Sequence, residues 1–441
     1  MLEKIKKLER LARQLDPGAE QRRALFAQAG DYAESFLEAL PGTHTYTRDE
    51  GLDGFVDQPF EETPTPMPEL LDFFRREVDT TGILPASGGQ MGYIPGGGLY
   101  PSAVGDFLAD ISNRYSGVSF AGPGAARMEG ALIRWMCDLA GYPSTAAGDL
   151  TSGGSLATLS ALVTARDARG IGPARIAESC IYMTAQAHHC IDKALHVAGL
   201  GKLLKRAVPM DERYRLDCGA LESLIEADLE QGLNPWLIVG SAGTTDTGAI
   251  DPLRQIAGLA ARFGLWFHLD AAYGGFFLLC EEGREALGDL SQADSIVMDP
   301  HKGLGIPYGS GAVLIRDGKL LARSNSYFAD YMQDAKQPGQ APQVDHRDHL
   351  AAQVLQAVFF LIHVFEGELG RRHRFRQRRQ VVAELRLHFP RGMRVHQQGE
   401  ECGNDGELQE LTVQIIVQVH NAGPRRCRCM LCCRVSIYRS G

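Results

Sequence analysis

Several short polar segments, each directly after an apolar run, carry the side chains that could do chemistry in this chain. Lys302 follows the run "DSIVM" in the sequence Asp-Pro-His-Lys, and Asp270 follows "GLWFHL". His188 and His189 follow "CIYMTA". A lysine amine in a desolvated setting can form a Schiff base with an aldehyde. A buried carboxylate needs a cationic partner, and a protonated ring nitrogen would be one. These residue types suit a flat aldehyde ligand that contains such a nitrogen.

The segment "TSGGS", from Thr151 to Ser155, adds a site for phosphate. Small residues at the N-terminus of a helix present backbone N–H groups to an anion. Taken singly, each feature has an ordinary explanation: a helix N-cap, a core histidine, a surface lysine before a turn. Together they are the parts needed to hold pyridoxal phosphate. No spacing of the histidines indicates a metal site.

The elements that must position these residues are short strands alternating with helices. The apolar runs "CIYMTA", "PWLIVGSAG", "GLWFHLD" and "DSIVMD" are bounded by turn residues and predict strands. Helical patterns such as "SLATLSALVTARDARG" and "DPLRQIAGLAARFG" lie among them, and each ends at a glycine. This alternation predicts an α/β fold with a mostly parallel sheet and helices on both faces. In such sheets ligands bind at the carboxyl ends of the strands, where the polar segments lie.

The motifs "TSGGS", "QAHHCIDKA", "GSAGTTDTGAIDP", "HLDAAYGG" and "DPHKG" resemble, in this order, the group II pyridoxal-phosphate-dependent amino-acid decarboxylases. That family includes aromatic-amino-acid, glutamate, histidine and diaminobutyrate decarboxylases of fold type I. The resemblance covers roughly residues 88–330.

The resemblance implies a role for individual residues. Lys302 would form the aldimine with the cofactor, Asp270 would pair with its ring nitrogen, and His188 would stack on the ring. The remaining expected contacts are Gly154 and Ser155 at the phosphate, Thr245 and Ala272 at the cofactor, Asp299 and His301 on the phosphate side, and Tyr93 and Pro95 in the substrate pocket. Gly96 stands where relatives carry a polar residue.

The implied activity is decarboxylation of an L-amino acid to an amine and CO2 through a Lys302 aldimine and a quinonoid intermediate. Two alternatives keep the same cofactor residues: another pyridoxal-phosphate-dependent carbon–carbon lyase, and a homologue that binds the cofactor but is catalytically impaired. The resemblance also implies a homodimer. The long Gly-rich, apolar segment from Gly88 favours burial against a partner subunit.

The C-terminal quarter departs from the family pattern. The segment "MQDAKQPGQAPQVDHRDHL" lacks the tyrosine expected there, and Tyr327, Tyr331, His346 and His349 are only nearby. The tail contains "CRCMLCC", whose spacing fits no zinc pattern. The sequence therefore predicts three parts: a helical N-terminal segment (1–87), a pyridoxal-phosphate-binding α/β domain (88–330), and a mobile loop with a divergent C-terminal region (331–441) that is disordered or encoded in a shifted reading frame.

Composition restricts the partners. The 441-residue chain has a net charge of −9, which argues against nucleic acid or an anionic membrane surface as a partner. The charged, amphipathic N-terminus lacks the apolar centre of a signal peptide, and no apolar run of about 18 residues occurs. Six of the ten cysteines are scattered, as in a reducing compartment. The sequence predicts a soluble, cytoplasmic enzyme whose partners are an amino-acid substrate and a second copy of itself.

Overall fold

The computed structural model describes residues 1–48, 64–90, 94, 96, 98–115 and 121–325, together with the backbone of 386–387, 410–419 and 429–438. The chain divides into two compact units, Met1–Gly92 and Tyr93–Gly441. The domain boundaries predicted from the sequence, after residues 87 and 330, remain predictions. None of the described helices is long and apolar enough to cross a bilayer.

The first unit is mainly helical, as the sequence predicts. Its first two helices are separated by Asp16-Pro17-Gly18, and the extended Gly18 is the N-cap of the second. The side chain of Tyr32 hydrogen-bonds Asp79, and the guanidinium of Arg75 lies 5.1 Å from the centre of the Tyr32 ring. The elements are α1 (Leu2–Ala12), α2 (Ala19–Ala39), β1 (Tyr46–Thr47), α3 (Met67–Phe74) and β2 (Gly82–Ile83), with 3-10 turns at Arg13–Leu15 and Leu40–Gly42 and a π-helical turn at Arg75–Asp79.

The second unit is built on a seven-stranded sheet. Its helices are α4 (Tyr100–Ser112), α5 (Pro123–Leu139), α6 (Gly154–Ala168), α7 (Cys190–Val197), α8 (Cys218–Glu230), α9 (Leu253–Phe263), α10 (Glu281–Leu287), α11 (Pro300–Gly303) and α12 (Gly318–Asn325), with 3-10 turns at Pro173–Glu178 and Gly275–Leu279. Its strands are β3 (Ala147–Thr151), β4 (Ser179–Met183), β5 (Leu204–Ala207), β6 (Asn234–Ser241), β7 (Trp266–Asp270), β8 (Ser295–Met298) and β9 (Gly311–Ile315).

The strands follow the order β3-β9-β8-β7-β6-β4-β5, and only β9 runs against the others. Both faces of the sheet are buried, which explains the near-continuous apolar runs. Along β7, Phe267 and Leu269 pack in the core under α5, α8 and α9, whereas Trp266 packs on the opposite face with α6 and α7. The predicted mostly parallel α/β architecture with helices on both faces is confirmed.

A buried ion pair ties the β4–β5 edge of the sheet to α8. Asp228 is 3% exposed and accepts hydrogen bonds from Tyr182 Oη (2.7 Å) and Arg206 Nη2 (2.6 Å). Burial alone would raise the pKa of Asp228, but the hydrogen bonds from Arg206 and Tyr182 outweigh it and lower that pKa.

The described C-terminal backbone forms a separate three-stranded antiparallel sheet. Its strands are β10 (Arg386–Leu387), β11 (Glu410–Val419) and β12 (Cys429–Tyr438), in the order β10-β12-β11. The pairing of β11 with β12 runs from Glu410 opposite Tyr438 to Val419 opposite Cys429. Most of the cysteine-rich segment, which lies in the region predicted to be disordered or encoded in a shifted reading frame, therefore lies in a strand. A shifted reading frame stays a hypothesis.

Candidate active site

The carboxyl ends of the parallel strands meet along one edge of the sheet and border a cavity of about 570 Å³. Nine of the eleven predicted site residues line this cavity: Gly154, Ser155, His188, Thr245, Asp270, Ala272, Asp299, His301 and Lys302. The other two, Tyr93 and Pro95, lie outside the described residues. Residues that are distant in sequence are thus brought together by the strand order, as sequence reasoning requires.

Lys302 lies on the one-turn helix α11, directly after β8. Its Nζ is 3.0 Å from Asp299 Oδ2. Burial favours the neutral amine, but the negative charges of Asp299 and Asp270 prevail and raise the pKa of Lys302. The turn is held in place because Asp299 N donates to Ala272 O (3.2 Å) and Lys302 N donates to Asp299 O (3.0 Å). In this state the lysine is an ammonium group paired with Asp299.

Asp299 is the most enclosed acid of the cavity, with 1% of its surface exposed. Its Oδ2 faces Lys302, whereas Oδ1 has no hydrogen-bond partner among the described residues. A methyl group built on Gly154 would lie 2.6 Å from Asp299 Oδ2, so the carboxylate lies directly against the start of α6. Only glycine fits at position 154.

Asp270 ends β7 and is half-buried. Its Oδ1 accepts a hydrogen bond from Ala272 N at 3.1 Å. Two residues earlier, the fully buried His268 contacts Ser295 Oγ through Nδ1 at 2.8 Å, and Trp266 Nε1 donates to the same oxygen at 2.9 Å. Burial lowers the pKa of His268 to about 4, so its ring is neutral near neutral pH.

Of the two adjacent histidines, only His188 lines the cavity. Burial, and then the neighbouring ring of His189 at 4.0 Å between centroids, lower the pKa of His188. His188 Nδ1 accepts a hydrogen bond from Cys190 N at 3.3 Å, so the proton of the neutral ring resides on Nε2. The site therefore contains an uncharged imidazole that can lie against a flat ring.

The residues predicted to bind phosphate, Gly154 and Ser155, lie at the start of α6. The helix is 15 residues long, begins at Gly154, and has no side-chain cap on its first amides. Thr151 Oγ1 donates to Gly153 O at 2.9 Å and shapes the turn into the helix. On the other side, the His301 ring contacts the backbone of Ser310 through Nδ1. Free amides at a helix N-terminus favour an anion.

Sequence reasoning missed some residues of this cavity. Gln186 and Cys190 line it, and Gln186 Oε1 is buried without a partner among the described residues. Both residues flank the histidine pair in sequence, and this position could have predicted that they lie at the cavity. Of the two adjacent threonines, Thr244 is buried and closes the loop by a 2.7 Å contact with Thr247 Oγ1, which leaves Thr245 exposed at the cavity.

Gly96 lies so close to the backbone of the Lys302 turn that a side chain would not fit there. A methyl group at this position would lie 2.7 Å from His301 O and 2.7 Å from Lys302 O. Nearby, Leu99 N donates to Gly305 O at 2.8 Å. The backbone near Gly96 thus supports the turn that carries Lys302, and no side chain fits where the resemblance expects a polar one.

The chain is similar to known proteins. Residues 58–368 match the profile described as the pyridoxal-dependent decarboxylase conserved domain. The chain belongs to this family. An aromatic-L-amino-acid decarboxylase of Bacillus atrophaeus is 32% identical over 329 residues, which are 74% of this chain and 68% of that enzyme. An L-2,4-diaminobutyrate decarboxylase of Rhizobium meliloti is 31% identical over 307 residues, which are 69% of this chain and 61% of that enzyme.

Solved structures agree on the fold. The structure of Oryza sativa TDC with PLP and tryptamine has a TM-score of 0.71 at 24% identity, and the match covers 78% of this chain and 74% of that one. The pyridoxal-dependent decarboxylase fold, predicted here as fold type I, is therefore confirmed. The matched part spans about two thirds of the length of the curated relatives.

The residues of the cavity fit the family's cofactor, pyridoxal phosphate. The uncapped amides of α6 suit the phosphate, and Asp270 and Lys302 suit the ring nitrogen and the aldehyde. Two buried oxygens of the lining, Gln186 Oε1 and Asp299 Oδ1, have no partner among the described residues, as expected of groups that face a polar ligand.

Proposed function

We propose that this protein uses pyridoxal phosphate to decarboxylate an L-amino acid, giving an amine and CO2. The observation that carries the proposal is the convergence of Lys302, Asp270, His188 and the start of α6 on one cavity. Membership of the decarboxylase family supports the reaction type. The names of the relatives, which include aromatic-amino-acid and diaminobutyrate decarboxylases, suggest the range of substrates to examine.

Bound pyridoxal phosphate would supply an electron-accepting ring that stabilises the charge left on the α-carbon when CO2 departs. Asp270 would keep a proton on the ring nitrogen, because an anionic carboxylate favours the charged form of a neighbouring base. His188, neutral and protonated at Nε2, would lie against the ring without adding charge. The N–H groups at Gly154 and Ser155 would hold the phosphate.

Lys302 would bind the aldehyde through Nζ, and for this the amine must lose its proton. Asp299 now stabilises the ammonium form at 3.0 Å, so separation from Asp299 is part of activating the amine. The same Nζ is positioned to take up and return protons within the cavity. These roles for the individual residues are proposals.

The experiment is to incubate the purified, pyridoxal-phosphate-loaded protein with aromatic amino acids, 2,4-diaminobutyrate, aspartate and glutamate, and to measure CO2 and amine release. Stoichiometric CO2 and amine from one member of the panel would support the proposal. Products of carbon–carbon cleavage other than CO2 would favour the alternative lyase. Cofactor binding without turnover of any member would favour a catalytically impaired homologue.

We also propose that the active unit is a homodimer. Helix α4 exposes Leu108 and Ile111, which are 47% and 71% accessible in the single chain. Neighbouring exposed apolar side chains favour burial against another surface, and a two-fold axis buries the same patch on both copies. Light scattering at micromolar concentration tests this. A monomer that binds pyridoxal phosphate tightly would show that no partner is needed for the site.

A cytoplasmic location is the last part of the proposal. The five cysteines whose side chains the structure describes are free thiols, which suits a reducing compartment. Fractionation of cells that express the protein tests this location.

A further inference from the structure

The unusual group in the cavity is the Asp299 carboxylate, which touches both the Schiff-base lysine and the phosphate site. Its Oδ2 is 3.0 Å from Lys302 Nζ, and the same oxygen lies against Gly154 at the start of α6. Two neighbours of this carboxylate would have opposite effects on its charge. Lys302 favours its anionic form, whereas a phosphate at the start of α6 would be a second anion at close range.

We propose that Asp299 exchanges its partner when the cofactor binds: it holds Lys302 as a carboxylate in the empty protein, and it takes up one proton and donates a hydrogen bond to the phosphate in the loaded protein. The proposal rests on the proposed cofactor site. The proton comes from solvent and returns to solvent when the cofactor leaves.

The first support is that Asp299 loses the cation with which it pairs directly once Lys302 is engaged elsewhere. The side chain is 1% exposed, and Oδ1 has no partner among the described residues. A buried carboxylate without a cation is costly, and protonation is the usual response. A protonated carboxyl group would use its free oxygen as a donor to an acceptor such as phosphate.

The second support comes from the other charges near Asp299. Burial raises the pKa of Asp299, and Lys302 and His301 are the groups that lower it. Asp270 on β7 raises it further, and Cys190 and His188 face it from the start of α7. Removing Lys302 as a partner and adding phosphate both act in the same direction as burial.

Proton uptake by Asp299 would make the binding of pyridoxal phosphate depend on pH in one direction. Binding that takes up a proton weakens as pH rises between the pKa of Asp299 in the empty protein and its higher pKa in the loaded protein. Within that window the association constant for pyridoxal phosphate falls by about a further tenfold per pH unit because of Asp299 alone. Outside the window Asp299 adds no pH dependence.

The test is calorimetric titration of pyridoxal phosphate into the cofactor-free, full-length protein, in two buffers with different enthalpies of ionisation. The difference in heat gives the number of protons taken up. Wild type should take up about one proton more than Asp299→Asn near neutral pH. Proton changes at the cofactor occur in both proteins. Asp299→Asn also removes a charge that raises the pKa of Lys302, so the comparison of two probes in wild type, described below, checks that the extra proton belongs to Asp299.

The matched control is Asp294→Asn. Asp294 precedes β8 and Asp299 follows it, and each carboxylate pairs with a cation, Arg316 at 2.8 Å in the case of Asp294. Asp294 does not line the cavity. This variant should show the proton uptake of wild type. An equal proton uptake in wild type and Asp299→Asn would overturn the proposal.

A second measurement needs no variant. Wild type titrated with pyridoxal, which lacks the phosphate, should take up fewer protons than wild type titrated with pyridoxal phosphate. Equal uptake with the two probes would also overturn the proposal. Because both measurements follow binding alone, a protein that shows the extra proton but releases no CO2 would refute the proposed decarboxylation and leave the role of Asp299 intact.

Discussion

A single methyl group at Gly96 should disable the site from outside the cavity. In Gly96→Ala the new carbon would lie 2.7 Å from the carbonyl oxygens of His301 and Lys302 and 3.0 Å from Gly305 Cα. A carbon and a carbonyl oxygen normally approach no closer than about 3.3 Å, so the turn must move by about 0.6 Å. The obstructing atoms are backbone, and no rotamer change can relieve the contact.

The displaced turn carries Lys302, and this determines the expected magnitude. Overpacking of this kind costs about 1–3 kcal/mol of stability. A misplacement approaching 1 Å at a reacting group reduces a rate by about 100-fold. We therefore expect Gly96→Ala to bind pyridoxal phosphate more weakly and, when loaded, to turn over about 10–100-fold more slowly than wild type. Cofactor titration and rates normalised to bound cofactor measure the two effects separately.

Gly98→Ala is the matched control, because a methyl group at Gly98 would meet no atom within 4 Å. It should retain the cofactor affinity and rate of wild type. If Gly96→Ala behaved like Gly98→Ala, the conclusion that Gly96 supports the Lys302 turn would be wrong. Thermal melting of the cofactor-free proteins separates a local effect from unfolding. A normal melting temperature with weakened cofactor binding would confirm a local effect of Gly96→Ala, whereas an unfolded variant would show that the methyl group disrupts more than the Lys302 turn.

Other residues give independent tests. Borohydride treatment of the loaded protein, followed by peptide mapping, should find the pyridoxyl label on Lys302, and a label on Lys193 instead would refute the assignment; Lys302→Ala should abolish turnover. Asp270→Asn should lower the rate by orders of magnitude and stability by much less, measured by steady-state kinetics and melting. Asp228→Ala should lower the free energy of unfolding by about 3 kcal/mol in denaturant titrations, because Arg206 would lose its buried partner. Since folding lowers the pKa of Asp228, its contribution in wild type is present above the unfolded pKa of about 4 and is lost as pH falls through the lower folded pKa, whereas the variant lacks this dependence.

The strands that could be predicted from sequence are those buried on both faces. β4, β6, β7 and β8 are apolar runs ended by polar residues, and the structure confirms each. β5 was missed because its sequence is Leu-Lys-Arg-Ala, an edge strand with alternating exposure. β3 was missed because Gly148 and Asp149 interrupt its apolar pattern. β9 was also missed, although it is buried along its whole length. Its antiparallel direction depends on its neighbours β3 and β8, and a local pattern does not report it.

The same distinction applies to the site. Residues at strand ends could be predicted because a parallel sheet places all of its carboxyl ends at one edge. The contact of Gly96 with the Lys302 turn could not, because it joins segments far apart in sequence through backbone atoms that carry no sequence signal. Which of Thr244 and Thr245 is exposed at the cavity likewise could not be predicted, because it depends on which hydroxyl forms a hydrogen bond within the loop.

The charges of the cavity show why two strand-end aspartates, similar in sequence, differ in chemistry. Burial lowers the pKa values of His188 and His268 and so disfavours their charged forms. Two aspartates, Asp270 and Asp299, and two lysines, Lys193 and Lys302, line the cavity, and Lys302 is the lysine that pairs with Asp299. A ring nitrogen would give Asp270 a new cationic partner. Asp299 would lose its lysine and gain a phosphate neighbour instead. The cofactor would therefore satisfy one aspartate as an anion and leave the other to accept a proton, and Asp299 Oδ1, which has no partner among the described residues, is the oxygen that could carry that proton.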